Sequence, residues 1–571
     1  MKKPSIAIYF GHDAAIAVSD PQNHQIVQIE IDKVAGFKHY QLRPPSPQDQ
    51  SPEEIERYYA ELDHIITNIL HVLKRDFGIN NDFELILTKN YYYRAPYART
   101  LKSFTQRLKH EKVVTLDHIQ HHRLHCKSAY LQSPFDKAII FSFDGGGDDG
   151  TSARMGMVNQ TPRFEHHTRI PVGRIFSNVC HQLRFSHTID ISLVDKMVGP
   201  ARRSFRMDHS GKMMGLASYG SPNAESFETF TWFIDKIFPY SQQNRTDFWD
   251  PPQNGQFSWP ADQLILHYKK RFDFPLTLKD EILIAAEIQT LSEIIVKKEF
   301  ETHILPIAEK YDNNIVLSGG CAMNVVINQK IREWFPHLNV YVPPNPGDSG
   351  LPLGMLSEYF RESLLGSVSH LSDVRLLDLE TVPSILKERG ATVITTEDLL
   401  TSLNSGEIVG FIDGGIEIGP RSLCRRSILA SAKYDGMKDK INAKVKNREW
   451  FRPFAPVTRD VDVKKYFHGP YTNLQTMSYC LDTRSEWRDT LVAINHVDNT
   501  ARVQVLEPSE SPFIYDLISK MEEPKVLLNT SFNVGGKPIL NTMKDALWVL
   551  DNRDLDHVII VHENQLWKIT K

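Results

Sequence analysis

The sequence predicts an α/β protein in two parts, a duplicated α/β unit followed by a separate α/β domain. Three observations predict it. Strands alternate with helices along the 571 residues; two similar strand–glycine turn–strand segments open successive stretches; and after RESLLGSVSHLSDVRLLDLE a second series of elements begins. A chain of this length exceeds what one hydrophobic core usually serves, so two domains are expected.

The first opening is SIAIYF, which runs into Gly11-His12-Asp13 and resumes as AAIAV. The second is KAIIFSF, which runs into Asp144 and a glycine-rich turn and resumes as TSARMGMV. Each reads as strand, tight turn, strand. Glycine at such a turn admits a close phosphate, because no side chain intervenes and backbone N–H groups can point at the anion. Two such hairpins, each opening a half-domain, predict a duplicated ATPase fold of the actin/hexokinase type.

Between the hairpins, Ser51, Pro52 and Glu54 make a capping-box start to a long amphipathic helix through SPEEIERYYAELDHIITNILHVLKRDFG. A second long helix is expected over much of KDEILIAAEIQTLSEIIVKKEFETHILPIAEKYD. It leads into the strand NNIVL and the strand–turn–helix SGGCAMNVVINQKI, where Gly319 and Gly320 permit close ligand approach and Asn324 could bond a ribose or base. The stretch from Thr231 to about Phe274 is aromatic, polar and proline-broken, and reads as an inserted, packed surface loop rather than a lid. The boundary is expected between about Leu365 and Glu380, giving domains 1–370 and 371–571. The second domain then runs through a strand ATVITT, a helix near EDLLTSLNSG, the strand EIVGFID and a basic segment from Gly419 to Arg452.

The net charge of −4 argues against extensive electrostatic binding to nucleic acid. No apolar run approaches a membrane span, and His12 and Asp13 interrupt the opening too early for a secretory signal. A soluble cytoplasmic protein is the expectation. Five scattered cysteines without a CxxC pair fit reduced core thiols better than a disulfide framework or zinc ribbon.

His121 and His125, four apart, fall on one face of a helix, while Asp144 and Asp348 each stand where a strand meets a glycine turn. All four could converge on one divalent ion. His118 and His122 point elsewhere on that helix, as surface or supporting groups. His12 and Asp13 could serve as a base for an incoming hydroxyl and its orienting carboxylate, or as a structural turn bond. Arg421, Lys446, Arg452 and Arg502 can neutralise phosphate oxygens, with Asn529 and Ser531 as neutral donors. Lys438, Lys440 and Lys444 read as a solvated helix face, and Cys424 as a small packed residue.

DHIQHHRLHCKSAYLQSPFDKAIIFSFDG, GKMMGLASYG, LSGGCAMNVVINQKI, VPPNPGDSGLPLG, GPRSLCRRSILA, KVKNREWFRPFAPV, HVDNTARVQ and LLNTSFNVGGKPI occur in one order over nearly the whole chain. In this the sequence resembles the nodulation-protein-type O-carbamoyltransferases. The resemblance implies a first domain like the tRNA threonylcarbamoyladenosine-synthesis protein and a second that is YrdC-like. It implies iron, with manganese or magnesium as alternatives, at His121, His125, Asp144 and Asp348; adenylate contacts at Asp144, Gly320 and Asn324; and Lys38 beside His39 facing the active site. It further implies that the second domain forms carbamoyladenylate from ATP and carbamoyl phosphate, and that the first passes the carbamoyl group to a hydroxyl of a small natural-product acceptor. A homodimer is compatible with it. A tRNA-modifying threonylcarbamoyl enzyme and a catalytically silent nucleotide-binding protein are the alternatives.

Three departures stand out. IEIDKVAGFKH replaces the family's acidic-arginine run, GPRSLCRRS replaces GPRALGNRS, and HDAAIAV replaces HDASAAL, with loss of a hydroxyl at Ala15.

Overall fold

The computed structural model describes residues 3–20, 25–42, 51–80, 83–88, 98–108, 112–116, 120–147, 150–183, 209–237, 260–361 and 368–571. Strands β1 (Ser5–Tyr9), β2 (Ala15–Asp20), β3 (Gln25–Glu30), β4 (Glu84–Thr88) and β5 (Lys112–Leu116) form one sheet in the order β3-β2-β1-β4-β5. Strands β6 (Lys137–Gly147), β7 (Gly150–Val158), β8 (Thr161–Thr168), β9 (Asn314–Ser318) and β10 (Asn339–Tyr341) form a second, in the order β8-β7-β6-β9-β10. In each sheet the first three strands are antiparallel and the last two add in parallel beside the first. The same order and sense twice over is the duplicated actin/hexokinase-like fold the two hairpins predict. Every residue of β1 and β2 is buried, as strands covered on both faces require.

The helix Pro52–Phe77 starts as expected: Ser51 Oγ accepts the Glu54 N–H, and the Glu54 carboxylate accepts the Ser51 N–H. Its buried residues, from Tyr58 through Leu62, Ile65, Ile66 and Ile69 to Leu73, recur at helical spacing along one face. Gly78, left-handed at φ 67°, ends it.

The second long helix covers much of the expected stretch: Leu278–Glu299 runs directly into a π-helical turn at Phe300–Ile304 and a short helix at Leu305–Ala308. Pro306 lacks the N–H that a regular turn would use and crowds the preceding carbonyls, which widens the helix there. One expectation needs correction: the insertion is not all loop. Residues 260–271 form a helix that packs Ala261, Leu264 and Tyr268 into the main core; residues 238–259 lie outside the described residues.

A third sheet of eight strands follows. Its strands are β11 (Thr392–Ile394), β12 (Val409–Ile412), β13 (Arg426–Ser431), β14 (Ala455–Arg459), β18 (Gln504–Leu506), β19 (Leu527–Ser531), β20 (His557–His562) and β21 (Gln565–Thr570), in the order β11-β21-β20-β12-β13-β19-β14-β18. The strands between, β15 (Phe467–His468), β16 (Leu481–Thr483) and β17 (Thr500–Ala501), form a small sheet of their own.

One hydrophobic cluster runs from Ile139 and Phe141 of β6 through Ile331 to Ile428 of β13 and Phe532, so the second and third sheets share a core. Polar contacts reinforce that junction. Arg332 donates to Thr472 Oγ1 at 3.0 Å and lies over the Tyr479 ring, and the Tyr479 hydroxyl donates to the Val340 carbonyl at 2.9 Å. Among the described residues, no helix is long and apolar enough to cross a membrane.

Candidate functional site

The helix His121–Gln132, the C-terminal end of β6 and the turn that follows β10 bring four side chains to one point. One ligand atom from each of His121, His125, Asp144 and Asp348 lies within 4.8 Å of the others. Asp144 Oδ2 is 3.2 Å from Nε2 of both histidines, and Asp348 Oδ1 is 3.4 and 3.2 Å from the same two atoms. Two imidazole nitrogens and two carboxylate oxygens aimed inward form a donor set suited to a borderline divalent cation. Burial opposes charge on both rings, but Asp348 and Asp144 outweigh it and hold His121 well above its ordinary pKa and His125 above it as well. The two carboxylates thus favour protonated rings in this arrangement.

Backbone and supporting groups fix these ligands. Asp144 Oδ1 accepts N–H bonds from Gly145 at 2.7 Å and Gly320 at 3.2 Å. A Cβ on Gly320 would stand 2.8 Å from Asp144 Oδ1, and one on Gly319, left-handed at φ 84°, would meet the Phe143 carbonyl at 2.2 Å, so side chains are excluded from this turn. Ser318 Oγ donates to the His125 carbonyl at 3.0 Å. His122 is wholly buried and lies 2.8 Å from Ser142 Oγ, which makes it a supporting residue rather than a surface one; burial, with His121 and His125 beside it, depresses its pKa strongly. His118 lies outside the described residues.

The first hairpin turn meets the same cluster. The Tyr9 hydroxyl donates to Asp348 Oδ2 at 2.7 Å, and His12 Nε2 lies 3.2 Å from that oxygen. A Cβ on Gly11 would meet the Tyr9 hydroxyl at 2.3 Å, so glycine there lets the phenol cross the turn. Asp13, at a left-handed φ of 56°, receives His12 Nδ1 at 3.0 Å and His39 Nδ1 at 2.6 Å. Burial lowers the His12 pKa, but Asp348 and Asp13 overcome it and raise the group to about 9. Asp348 and Asp13 thus favour the protonated ring. Tyr9 and His39 complete an arrangement whose contacts span most of the chain, and no local motif marks Tyr9.

The second part contributes a group of cations. Arg421 Nη2 donates to the Met323 carbonyl at 3.0 Å, on the 3₁₀ turn Gly320–Met323 that begins with the Asp144-bound glycine. Burial and the nearby Arg502 push the Arg421 pKa well down, and burial with Arg452 lowers Arg502 to about 10. Lys446 is 2% exposed. Its ammonium donates to Ser531 Oγ at 3.2 Å, to the Asn533 carbonyl at 3.2 Å, and to Ser531 O and Asn533 Oδ1. Burial and the charges of Arg448, Lys38 and Arg452 push its pKa well below the usual lysine value. Lys38, next to His39, is thus near enough to Lys446 to weigh on its charge.

The loop bearing Arg421 is shaped by Glu417, whose Oε1 accepts the N–H groups of Leu423, Arg425 and Arg426 at 2.8, 2.9 and 2.8 Å. Cys424 is buried and its thiol pKa is raised strongly by burial, as a packed residue requires.

Other expected residues are placed differently. Asn324 is the N-cap of the helix Val325–Trp334: its Oδ1 accepts the Ile327 N–H at 3.1 Å and its amide donates to Gln289 Oε1 at 2.9 Å. Both ends of the side chain take part in building the turn. Asn529 is fully buried and donates to Gln504 Oε1 at 2.7 Å and the Ser422 carbonyl at 3.2 Å. It braces β19 against the loop that carries Arg421. Lys440 and Lys444 are exposed, but Lys438 is half-buried and donates to the Tyr219 hydroxyl at 3.0 Å.

Where the family's acidic-arginine run is altered, Lys33 forms a buried ion pair with Glu30. It also donates to the carbonyls of Glu417 and Gly419, both at 2.7 Å, while the Gly419 N–H donates to Glu30 Oε2 at 2.9 Å. The altered run thus ties the two parts together directly beneath the Arg421 loop.

Comparison with known proteins shows the family. The carbamoyltransferase N-terminus family model matches residues 2–355, and the carbamoyltransferase C-terminus model matches residues 400–566. Nodulation protein NolO of Bradyrhizobium diazoefficiens is 27% identical over 468 residues, covering 77% of this chain and 78% of its own. The 3'-hydroxymethylcephem-O-carbamoyltransferase of Amycolatopsis lactamdurans is 27% identical over 364 residues, covering 62% of this chain and 64% of its own. Among solved structures, full-length HypF in its phosphate- and nucleotide-bound form aligns over 62% of this chain and 54% of its own, at 14% identity and a TM-score of 0.31, too distant to add to the fold read from strand order. With both family models matched in order over most of its length, the chain belongs to the carbamoyltransferase family and is an enzyme of that class.

Proposed function

We propose that the protein is an ATP-dependent O-carbamoyltransferase acting on a hydroxyl of a small natural-product acceptor. The supporting observation is the contact between Arg421 and the Met323 carbonyl, 3.0 Å long, which places the second part's cations against the turn that holds Asp144. An intermediate made among the cations would have a short path to the His/Asp cluster.

The chemistry accounts for both sites. Carbamate is a poor electrophile because its negative charge repels an incoming oxygen. Water hydrolyses carbamoyl phosphate to carbamate and inorganic phosphate; the carbamate oxygen then attacks the α-phosphorus of ATP, expels pyrophosphate and forms carbamoyladenylate. The acceptor oxygen then attacks the carbamoyl carbon, its proton leaves, and AMP departs. Arg421, Lys446, Arg452 and Arg502 bind and neutralise phosphate oxygens in the first stage. Ser531, joined to the Lys446 ammonium, helps shape that pocket. His121, His125, Asp144 and Asp348 would hold a divalent ion, iron being the leading choice, which would supply a Lewis acid for the transfer. His12, oriented by Asp13, moves the acceptor's proton, and Lys38 faces the adenylate between the parts. The mixed anhydride is hydrolysable, and the close packing of the parts favours its passage without release into water.

The acceptor reading is supported by the likeness to the cephem carbamoyltransferase, whose name specifies a small hydroxymethyl compound. Incubation with ATP, carbamoyl phosphate and a panel of small alcohols, followed by mass spectrometry, should reveal a carbamoyl increment together with AMP. AMP formation that does not depend on carbamoyl phosphate would overturn the reading.

A further inference from the structure

Lys212 belongs to GKMMGLASYG, on the helix His209–Ala217 of the first part, while Glu449 belongs to KVKNREWFRPFAPV of the second. Lys212 Nζ lies 2.6 Å from Glu449 Oε1, and Arg452 Nη1 lies 3.5 Å from Glu449 Oε2. One carboxylate is thus shared between a cation of each part. The two contacts are unequal. Lys212 is in direct contact, whereas Arg452 is farther away than the ~2.7–2.9 Å of a charge-assisted hydrogen bond, and Glu449 Oε2 is buried without a hydrogen bond.

The same helix is seated on this motif by packing. A Cβ on Gly215 would stand 3.5 Å from Pro453 Cδ, and the Gly215 carbonyl lies 3.3 Å from His496 Nε2. Burial disfavours the Glu449 charge, but Lys212 and Arg452 outweigh it and hold the carboxyl below its usual range.

We propose that Lys212 is a positioning residue for the adenylate-forming step: by engaging Glu449, it keeps Arg452 oriented yet available to an anionic oxygen of carbamoyl phosphate. The inference rests on the function proposed above. Without the Lys212 charge, Glu449 is drawn fully onto Arg452, and a closed carboxylate–guanidinium pair competes with the phosphate for the same donors. A residue of the metal-bearing part thereby sets affinity in the other part, which ties anion binding to correct seating of the two.

The test is steady-state AMP formation by the full chain with carbamoyl phosphate varied. Lys212→Met should raise the KM for carbamoyl phosphate roughly tenfold with kcat nearly unchanged, and Lys212→Arg should restore it. In a Glu449→Gln background, Lys212→Met should add nothing, because its effect runs through the carboxylate. Metal content and transfer from supplied carbamoyladenylate should stay at the level of the unaltered protein. An unchanged KM in Lys212→Met, independent losses that add in the double variant, or an equal fall of both half-reactions would overturn the inference. If the unaltered chain forms no AMP from carbamoyl phosphate and ATP, the proposed function fails and takes the inference with it, whereas activity in the unaltered chain with a silent Lys212→Met removes the inference alone.

Discussion

Asp348 Oδ2 lies 3.2 Å from His12 Nε2 while Oδ1 of the same carboxylate faces His121 and His125. One carboxylate therefore joins the turn of the first half-domain to the histidine helix and fixes His12 relative to the donor cluster. Any change to this carboxylate should affect the transfer site as a unit.

His121→Ala or Asp144→Ala should lose bound metal and carbamoyl transfer while sparing carbamoyl-phosphate-dependent AMP formation. Tyr9→Phe, which removes only the hydroxyl donating to Asp348, should cost roughly 10–100-fold in metal affinity. Metal analysis and separate assays of the two half-reactions check this. A chelated protein that transfers at the normal rate would contradict the assignment.

Metal affinity should rise with pH. The carboxylates raise the pKa of both His121 and His125 in the metal-free protein, so lowering the pH favours the doubly protonated, metal-free state. Binding requires neutral rings and releases their protons, giving up to about tenfold in affinity per pH unit for each proton displaced. Calorimetric titration between about pH 6 and pH 8 should show the slope; affinity independent of pH would mean that the histidines are not ligands.

His12→Gln should retain metal and adenylate formation yet slow transfer by roughly 10²–10⁴, the usual range for a positioned acid or base. Transfer assayed from supplied carbamoyladenylate isolates that step. A variant that transfers normally would leave the His12–Asp13 contact as a turn bond.

Lys33→Met should destabilise the protein by about 3 kcal/mol, because it strands a buried carboxylate at Glu30 and leaves two carbonyls of the second part without their donor. The side chains of Lys33 and Glu30 are only 5% and 7% exposed. By contrast Lys330→Met, in a pair with Glu333 that is 42% and 41% exposed, should cost under about 1 kcal/mol. Urea unfolding of both variants tests the difference.

The repeated hairpins, the capping box at Ser51 and the four convergent ligands were legible because each depends on local pattern: alternation, a three-residue spacing, or a glycine turn at a strand end. The bracing contacts of Asn324 and Asn529 were not. An asparagine after a glycine turn suits a ligand contact or a helix cap equally, and only the folded chain shows the cap contacts with Ile327 and Gln289. Tyr9 reaches Asp348 across 339 positions, a distance over which local periodicity carries no information.

Lys446→Met and Arg452→Ala should each lose carbamoyl-phosphate-dependent AMP formation while still transferring from supplied carbamoyladenylate. Phe451 between them is buried at 4% exposure whereas Trp450 is 50% exposed, so the phenyl ring alone forms the floor of the turn. The Lys446 ammonium organises Ser531 and Asn533, and Arg452 completes the charge, so removal of either should act on the anion rather than on the acceptor. Truncating one partner of a buried, hydrogen-bonded charge pair costs roughly 2 to 5 kcal/mol, which is about thirtyfold or more in affinity. A solvent-exposed ion pair would cost only about 0 to 1 kcal/mol. Saturation with carbamoyl phosphate at near-normal concentration in both variants would therefore place the anion elsewhere and remove the proposed adenylate-forming site.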